Sequence, residues 1–447
     1  MKKNDILLVY PKPSKDSSTR QTPLSILFPG AYFKQQGLKV EYFDGRIESE
    51  EVLDEHIKNS KEIAVSTMTG FQCSETARIL KKAKRMVPDI ISAVGGPHVQ
   101  SMPEQVMEEP FVDKIYTQKV LGEDLFPYDS QTHKYWALTD MSYLSSSGCP
   151  FPCTFCSQGL EEWKPSELNK FRKELTTIHE NVGFKNVSLV DPNVSHGSYK
   201  EDGHTVKEDK YLRMQTIGQV FKDLDSTWEC AMRHPDLTKR MIEILSTHNC
   251  TRLHLGAESG SEDYLRKVLK KGHGVKNIKQ AALNLKGSGI SVLFTFISYM
   301  PGETFEDMHK TMDLVDWIND VYPEARVTIY NYAPYPGTKL FDDAVAGRNG
   351  IPKFKVPKNM EEWSKAPNMQ SPLYWIAGLN FRLDQSKRNF PGEDWKLIEP
   401  YYNLAVKKWK NRDIEEFPVE EVQKLVSEQI NKQELNLQEA PAMAACP

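Results

Sequence analysis

The stretch Ser145–Gly159, SSSGCPFPCTFCSQG, places three of the chain's seven cysteines within eight residues. Their spacing is Cys149-x3-Cys153-x2-Cys156, and no histidine lies inside the stretch. It follows a short predicted strand, residues 143–147, which begins a series of alternating strands and helices. In barrels built from such a series, the chemistry lies at the carboxyl ends of the strands. The sequence therefore predicts three soft ligands on one tight loop at a catalytic rim.

Three thiolates on one loop fit an iron–sulfur site better than a structural zinc site. Structural zinc normally takes four ligands, often as two separated pairs. The nearest histidines, His133 and His179, lie well outside the loop and complete no such spacing. An iron–sulfur cubane held by three cysteines leaves one iron open for another ligand. Zinc binding and chance clustering are the alternatives.

Length, composition and charge favour two or three globular domains. The chain has 447 residues, 39% hydrophobic and 26% charged, which is ordinary for a globular protein. The formal net charge of −4 disfavours nucleic acid as a partner. We therefore interpret the lysine-rich run from Arg266 to Lys286 as a solvated helix face.

The sequence predicts a cytoplasmic protein. No apolar run is long enough to span a membrane, and the amino terminus lacks the features of a signal peptide. The other four cysteines are scattered, unlike those of a disulfide scaffold. They are Cys73, Cys230, Cys250 and Cys446.

Strand and helix patterns alternate along two parts of the chain, which predicts an α/β protein with two parallel sheets. The first part resembles a flavodoxin-like doubly wound domain, with predicted strands at 5–11, 39–44, 62–70, 90–99 and 113–118. The second predicts a partial (β/α)6 barrel, with strands at 143–147, 186–191, 227–233, 252–258, 291–297 and 325–332. A small, mainly helical carboxyl-terminal region is predicted after them.

These patterns predict five segments: an α/β domain (1–120), a turn-rich linker (121–142), the barrel (143–340), a substrate or cap region (341–435) and a disordered tail (436–447). The cap region is rich in aromatic residues. They either wall a large substrate or pack a small helical cap. They include Trp363, Tyr374, Trp375 and Trp395.

The cysteine loop resembles the signature of the radical S-adenosylmethionine (SAM) superfamily. Three further segments resemble one large branch of that superfamily: LGAESGSEDYLRKVLKKG (255–272), MPGET (300–304) and YPGTKLF (335–341). That branch carries an amino-terminal cobalamin-binding domain, and AVGGPHVQSMPEQVM (93–107) resembles a segment of it.

The resemblance implies that Cys149, Cys153 and Cys156 hold a [4Fe–4S] cluster whose open iron binds SAM. Reduction by an external one-electron donor, of the flavodoxin or ferredoxin type, then cleaves SAM to a 5′-deoxyadenosyl radical. Residues predicted to contact SAM are Phe155, Asp191, Arg233, Glu258 and Ser259. The alternatives are packing of the loop for Phe155, a turn for Asp191 and a surface ion pair for Arg233. A buried carboxylate at Glu258 needs a partner, which favours ligand binding there.

The resemblance also implies cobalamin at two strand ends of the first domain. The predicted contacts are Ser66, Thr67, Thr69, Gly70, Gly95, Gly96 and His98. Glycine there would let a ligand approach closely. The alternative is two tight turns and a surface histidine. The chain lacks the D-x-H-x-x-G motif whose histidine ligates cobalt in some relatives. Cobalamin is therefore expected base-off, with no protein histidine on the cobalt.

The function implied by the resemblance is that of a cobalamin-dependent radical SAM enzyme. No membrane partner is expected, because no apolar run is long enough to span a bilayer. Its expected reaction is methylation of an unactivated carbon in a small molecule or peptide. One alternative keeps both cofactors but forms a ring or rearranges a tetrapyrrole- or natural-product-type substrate. A third hypothesis is a non-enzymatic protein that uses the three cysteines as a structural metal site.

Overall fold

The structure is a computed structural model that describes residues 4–13, 21–120, 125–201, 204–298, 300, 302–332, 335–348 and 356–365. Predictions for the tail, for Tyr374, Trp375 and Trp395, and for most of the cap region lie outside these ranges. The predicted domain boundaries stay predictions. Among the helices in the described ranges, none has both the length and the apolar character needed to cross a bilayer.

The first domain is a five-stranded parallel sheet with strand order β2-β1-β3-β4-β5. Its strands are β1 (Asn4–Tyr10), β2 (Val40–Asp44), β3 (Ser60–Ser66), β4 (Ile91–Gly95) and β5 (Lys114–Tyr116). The helices are α1 (Leu24–Gln35), α2 (Glu50–Asn59), α3 (Phe71–Met86), α4 (Pro97–Ser101) and α5 (Pro103–Met107). This is the flavodoxin-like order, so the predicted fold class is confirmed.

The central strand β1 shows why the sheet forms. Its residues Ile6, Leu7, Leu8 and Val9 are all buried. A continuous apolar run is typical of a parallel strand covered by helices on both faces. Burying it removes apolar surface from water, which is the main favourable contribution to folding.

The predicted linker is a packed segment in its described part, residues 125–142. It contains the helix α6 (His133–Ala137) with buried Tyr135 and Trp136. The Tyr135 hydroxyl donates to Glu48 Oε2 at 2.8 Å, and the Ser142 N–H donates to Thr22 Oγ1 at 3.1 Å. These contacts bind the segment to the first domain just where the second begins.

The second domain is a six-stranded parallel sheet with order β15-β14-β13-β12-β9-β6, which confirms the predicted partial barrel. Its six strands are β6 (Ser142–Tyr143), β9 (Asn186–Leu189), β12 (Thr227–Ala231), β13 (Cys250–Glu258), β14 (Ser291–Ser298) and β15 (Arg326–Asn331). The main helices between them are α7 (Leu168–Val182), α8 (Lys210–Asp223), α9 (Lys239–Thr247), α10 (Val275–Leu285) and α11 (Phe305–Val321). A 3-10 turn (His234–Asp236) and a π-turn (Tyr264–Val268) complete it.

Two local features were not predicted. The single strand expected at 143–147 is divided into β6 and β7 (Ser146–Ser147), and β7 pairs with β8 (Lys164–Pro165). A hairpin, β10 (Ser198–Glu201) with β11 (His204–Lys207), follows β9. Both features lie at the carboxyl-terminal side of the sheet, beside the cysteine loop.

Beyond the barrel, the described residues form α12 (Lys339–Ala346) and α13 (Met360–Lys365). Helix α13 packs on the first domain. Trp363 is fully buried, and its Nε1 donates to Gln105 Oε1 at 2.5 Å. The Met360 N–H donates to Glu109 Oε1 at 2.7 Å. The carboxyl-terminal segment therefore returns across the molecule to the first sheet.

Candidate functional site

Two charged side chains hold the start of the cysteine loop. The Ser145 N–H donates to both oxygens of Asp191 at 3.1 Å, and the Ser145 and Ser146 hydroxyls donate to Oδ1 at 2.8 and 2.5 Å. At the next peptide group, Arg213 Nη2 donates to the Ser145 carbonyl at 2.5 Å. The backbone is therefore fixed four residues before Cys149.

This arrangement gives Asp191 and Arg213 a positioning role. Asp191 is buried, and burial raises the pKa of its carboxyl. Its oxygens already accept the four bonds from Ser145 and Ser146, so its contact with SAM stays a prediction. Sequence reasoning missed Arg213. It lies on α8, 68 residues from Ser145, and no local pattern distinguishes it from other helix arginines.

The loop is closed by its own backbone and anchored to the barrel. The Glu161 N–H donates to the Cys149 carbonyl at 3.1 Å, which closes its base. Thr154 joins the loop to the segment after β13, because its N–H donates to the Leu269 carbonyl at 3.0 Å and its hydroxyl to the Val268 carbonyl at 2.8 Å. The three thiols are thus presented from a rigid loop.

The donor set fits a cluster with several metal atoms. Cys149, Cys153 and Cys156 are all half-buried free thiols. Burial raises the pKa of Cys149 and Cys153, and the neighbouring Cys156 acts in the same direction. Within the described ranges, no three His, Cys, Asp or Glu side chains converge as ligands of a single ion would. A cubane binds each thiolate at a different iron, so its cysteines need not converge on one point.

Two cations lie over the aromatic residues of the loop. The Arg233 guanidinium carbon is 3.3 Å from the Phe151 ring centroid, and Lys271 Nζ is 5.4 Å from that of Phe155. Arg233 Nη2 also donates to the Lys271 carbonyl at 2.9 Å. Both positive charges act on the Cys153 thiol, against the effect of burial. The structure thus places two positive charges beside the thiols, where they can stabilise bound thiolates or an anionic ligand.

Arg233 is available for an anionic ligand. Burial lowers the pKa of its guanidinium. In the described part of the chain, its hydrogen bonds go to the Lys271 carbonyl and toward His273 Nδ1 at 3.5 Å, and no carboxylate forms an ion pair with it. The surface ion pair considered as its alternative is therefore not formed among these residues. Its pairing with the SAM carboxylate stays a prediction.

Glu258 is held in an unusual conformation at the end of β13. Its φ is +64°, in the left-handed region that costs a non-glycine residue free energy and often marks functional sites. The register of β13 against β14 shifts between Gly256 and Glu258. Such a bulge redirects a side chain. Here the carboxylate meets Lys271, with 2.6 Å between Glu258 Oε1 and Lys271 Nζ.

Lys271 corrects the interpretation of the lysine-rich run. Only 13% of its side chain is exposed, against 73% for Lys267 in the same run. The solvated face was therefore predicted wrongly at Lys271. Its partner Glu258 is 13 residues away on another element, and this pairing cannot be read from the spacing within the run.

Ser259 and Phe155 are placed differently with respect to the cysteine loop. The Ser259 hydroxyl is buried, lies 3.2 Å from Thr311 Oγ1 and accepts the Ser261 N–H at 3.1 Å. It is therefore engaged in the turn after β13. Phe155 lies half-buried under Lys271 within the loop itself. The SAM contacts of both residues stay predictions.

A buried pair of histidines lies next to the Arg233 guanidinium, with 3.5 Å between Arg233 Nη2 and His273 Nδ1. This pair was not predicted from the sequence. His273 Nε2 lies 3.1 Å from His234 Nδ1, and both rings are buried. Burial lowers the pKa of His234 well below its usual value and that of His273 to about 3. The pair is therefore neutral at physiological pH, and it supports Arg233 without adding a third charge.

The predicted cobalamin contacts divide into an open edge and a buried layer. The strand ends Ser66 and Gly95 pair directly. Together with Thr69 and Gly96 they are partly exposed. Thr67, Gly70 and His98 are buried behind them. Contact of cobalamin with the open edge and with the buried layer stays a prediction.

Gly96 is required by the packing of the two turns. Its φ is +92°, and a Cβ there would lie 2.7 Å from Thr67 N and 2.8 Å from Thr67 O. Those backbone atoms join the turns, since the Thr67 N–H donates to the Gly95 carbonyl at 2.8 Å and its carbonyl accepts the His98 N–H at 3.0 Å. The glycine therefore shapes the edge whether or not a ligand lies on it.

The alternative of a surface histidine at position 98 is wrong. His98 is fully buried, its Nδ1 lies 3.0 Å from Thr69 Oγ1, and its ring packs edge-on against Trp363 at 5.5 Å. Its Nε2 is buried without a hydrogen-bond partner among the described residues. Burial lowers the pKa of the imidazole to about 4.

Acidification is expected to destabilise the protein through His98. The unfolded histidine binds a proton near pH 6.5 and the folded one near pH 4, so stability falls as the pH drops from 6.5 toward 4. Between pH 7 and pH 5 the loss is about 2 kcal/mol. Urea unfolding of His98→Gln should show a pH dependence smaller by that amount. The exposed control His204→Gln should match the wild type, and equal slopes for both variants would contradict the prediction.

The carboxyl-terminal sides of the two sheets are bridged by residues 337–340, which lead into the first turn of α12. The Leu340 N–H donates to the Thr154 carbonyl of the cysteine loop at 2.8 Å. Three residues earlier, Gly337 packs so closely on Ser101 that a Cβ would lie 2.5 Å from Ser101 Oγ. Lys119, after β5, also reaches the cysteine loop, with Nζ 2.8 Å from Glu161 Oε2. The two edges therefore belong to one region of the molecule.

Two family models match the chain in the same order as the two sheets. Residues 17–121 match the B12 binding domain, and residues 143–315 match the radical SAM superfamily. The first range includes the Ser66–Gly96 edge, and the second includes the cysteine loop, Arg233, Glu258 and Lys271. The matches cover both edges that the structure brings together.

Relatives and solved structures resemble most of the chain. An uncharacterised methyltransferase of Pyrococcus horikoshii is 23% identical over 77% of this chain and 84% of its own length. In fold, the chain resembles the cobalamin-dependent SAM radical enzyme OxsB (TM-score 0.65, 13% identity, 96% of this chain and 75% of that one). It also resembles the radical SAM methyltransferase TsrM of Kitasatospora setae (TM-score 0.60, 14% identity, 78% and 77%). The chain therefore contains an amino-terminal B12-binding domain followed by a radical SAM domain.

Proposed function

We propose that this enzyme is a cobalamin-dependent methyltransferase that acts on an unactivated carbon of a small molecule or peptide. The observation that carries the proposal is the bridge at Gly337–Leu340, which contacts both the cysteine loop and the segment beside the glycine edge. A reaction that needs two cofactors at one carbon requires such a junction. The name of the Pyrococcus horikoshii relative further supports methyl transfer.

The chain's own residues have distinct roles in this proposal. Bound cluster and SAM supply a carbon radical, and bound cobalamin supplies the methyl group. Cys149, Cys153 and Cys156 would hold the cluster, and Arg233 would offer its guanidinium to the SAM carboxylate, because a guanidinium can donate two parallel hydrogen bonds to a carboxylate. Asp191 and Arg213 keep the loop in register. A rigid support of this kind is what a binding site needs for accurate placement.

We propose that cobalamin binds base-off, with no protein histidine on the cobalt. The burial of His98 supports this. Its imidazole lies behind the open edge and beneath Trp363, where it packs at 5.5 Å from the tryptophan ring. The contacts of the edge would come from the partly exposed Ser66, Thr69, Gly95 and Gly96.

The electron donor in this proposal is an external one-electron carrier of the flavodoxin or ferredoxin type. The six cysteines in the described ranges are all free thiols. Six cysteines without a disulfide among the described residues are typical of a protein in a reducing compartment. They support a cytoplasmic location, where reduced carriers of this type are available.

Methyl transfer can be tested without knowing the final substrate. The anaerobically reconstituted enzyme is mixed with chemically reduced cobalamin and methyl-labelled SAM, and the corrinoid is analysed by mass spectrometry. A methyltransferase of this kind must transfer the methyl group of SAM to its cobalamin. We therefore expect more labelled methylcobalamin with the native enzyme than with heat-denatured enzyme. The base-off state is tested by the visible absorption spectrum of the bound corrinoid.

The other outcomes separate the remaining hypotheses. Formation of 5′-deoxyadenosine without labelled methylcobalamin would contradict methylation and favour ring formation or rearrangement. An absence of both products from a protein that retains iron would favour the non-enzymatic metal-binding hypothesis. Each result thus identifies one of the three functions.

A further inference from the structure

The ion pair between Glu258 and Lys271 lies beside the cysteine loop, and its lysine is not among the predicted cofactor contacts. Its atoms are 2.6 Å apart, and the two side chains are only 8% and 13% exposed. Lys271 Nζ lies 5.4 Å from the centroid of the Phe155 ring, and Phe155 immediately precedes Cys156. The lysine charge acts on both the Cys153 and Cys156 thiols.

The position of this pair is fixed by its surroundings. The two bonds from Thr154 to the Val268 and Leu269 carbonyls hold the cysteine loop against the segment that carries Lys271. Gly256 makes room for the pair, because a Cβ there would lie 2.3 Å from Glu258 Oε1 and 3.0 Å from Lys271 Nζ. The Thr154 hydrogen bonds and the packing at Gly256 therefore fix the position of the lysine charge relative to the thiols.

A fixed charge at this place has a definite effect on a bound cluster. One-electron reduction adds a negative charge, which a nearby cation stabilises and a nearby carboxylate destabilises. Screening is weak for partly buried charges and strong for exposed ones. Lys271 and Glu258 should therefore act on the cluster with opposite signs. The exposed neighbour Lys270 should act much less.

We propose that Lys271 and Glu258 together set the reduction potential of the cluster held by Cys149, Cys153 and Cys156. Lys271 raises the potential by stabilising the reduced state. Glu258 orients Lys271 and offsets part of its charge. The inference rests on the proposed cluster site and goes beyond it, since neither residue needs to ligate iron. Both residues act on the cluster through their charge and not as ligands.

The test is a redox titration of the reconstituted holoenzyme, with the reduced cluster quantified by electron paramagnetic resonance. Lys271→Met should lower the midpoint potential, and Lys271→Arg should retain that of the wild type because it keeps the charge. Glu258→Gln should raise the potential, because it leaves the lysine charge uncompensated. Lys270→Met is the matched control, which removes the same charge one residue away, and its potential should equal that of the wild type.

The opposite signs distinguish electrostatics from a structural defect. A disturbed loop would move Lys271→Met and Glu258→Gln in the same direction, and either that result or unchanged potentials would overturn the proposal. If Lys271→Met retains no iron, the difference between Glu258→Gln and Lys271→Arg decides the question. Wild-type protein without a cluster would refute the cluster site itself. A wild-type cluster that cleaves SAM, with no opposed shifts, would refute this inference alone.

Discussion

Replacing Cys149, Cys153 and Cys156 together by alanine is expected to reduce the iron content from about four atoms per chain to background. Cleavage of SAM to 5′-deoxyadenosine should be lost with it. The three half-buried thiols are the only cysteines on this loop, and Arg233 and Lys271 have no thiolate to act on once they are gone. Iron analysis after anaerobic reconstitution, followed by chromatography of the nucleoside product, measures both effects.

The matched control is Cys73→Ala. Cys73 is a buried thiol of α3 in the first domain and should leave both the iron content and SAM cleavage at wild-type levels. Cleavage that survives the triple substitution would refute the assignment of the site. Stoichiometric zinc in place of iron in the wild type would restore the zinc alternative, which the half-buried three-thiol loop disfavours.

The fold was predictable because its signal is local. An apolar run such as Ile6–Val9 identifies a covered parallel strand without knowledge of its neighbours. Strands that alternate with helices then restrict the topology, because each crossover connection must be right-handed. The division of the strand at 143–147 was not predictable. It depends on the contacts of Ser145 with Asp191 and Arg213, which come from other elements.

The site was predictable only in its local part. The cysteine spacing is visible in eight residues of sequence, whereas Lys271 is one lysine among several in a run. Its burial follows from Glu258 and Gly256 on a neighbouring strand. His98 is similar, since it is covered by Trp363 from a segment 265 residues later. Long-range packing, which leaves no periodic pattern, decides these cases.

Substitution of Gly148 by alanine should be among the most damaging single changes in the cysteine loop. Gly148 has φ +74°, and a Cβ there would lie 2.0 Å from the carbonyl oxygen of Glu162. The contact is with backbone and cannot be relieved by rotating a side chain. Alanine in the left-handed region costs about 1–2 kcal/mol, and forced overpacking adds about 1–3 kcal/mol. We expect a loss of about 4 kcal/mol in the free energy of unfolding.

Gly287→Ala separates the two contributions to this loss. Gly287 has nearly the same φ, +75°, but no atom lies within 4 Å of its added Cβ. It should therefore lose only about 1–2 kcal/mol and retain its cluster. Gly148→Ala should also lose iron, because the Cβ displaces the peptide directly before Cys149 from the β7–β8 pairing at Ser147 and Lys164. Equal unfolding free energies and equal iron contents for the two variants would show that the loop can move aside. The close backbone approach would then not be what fixes the position of the first thiol.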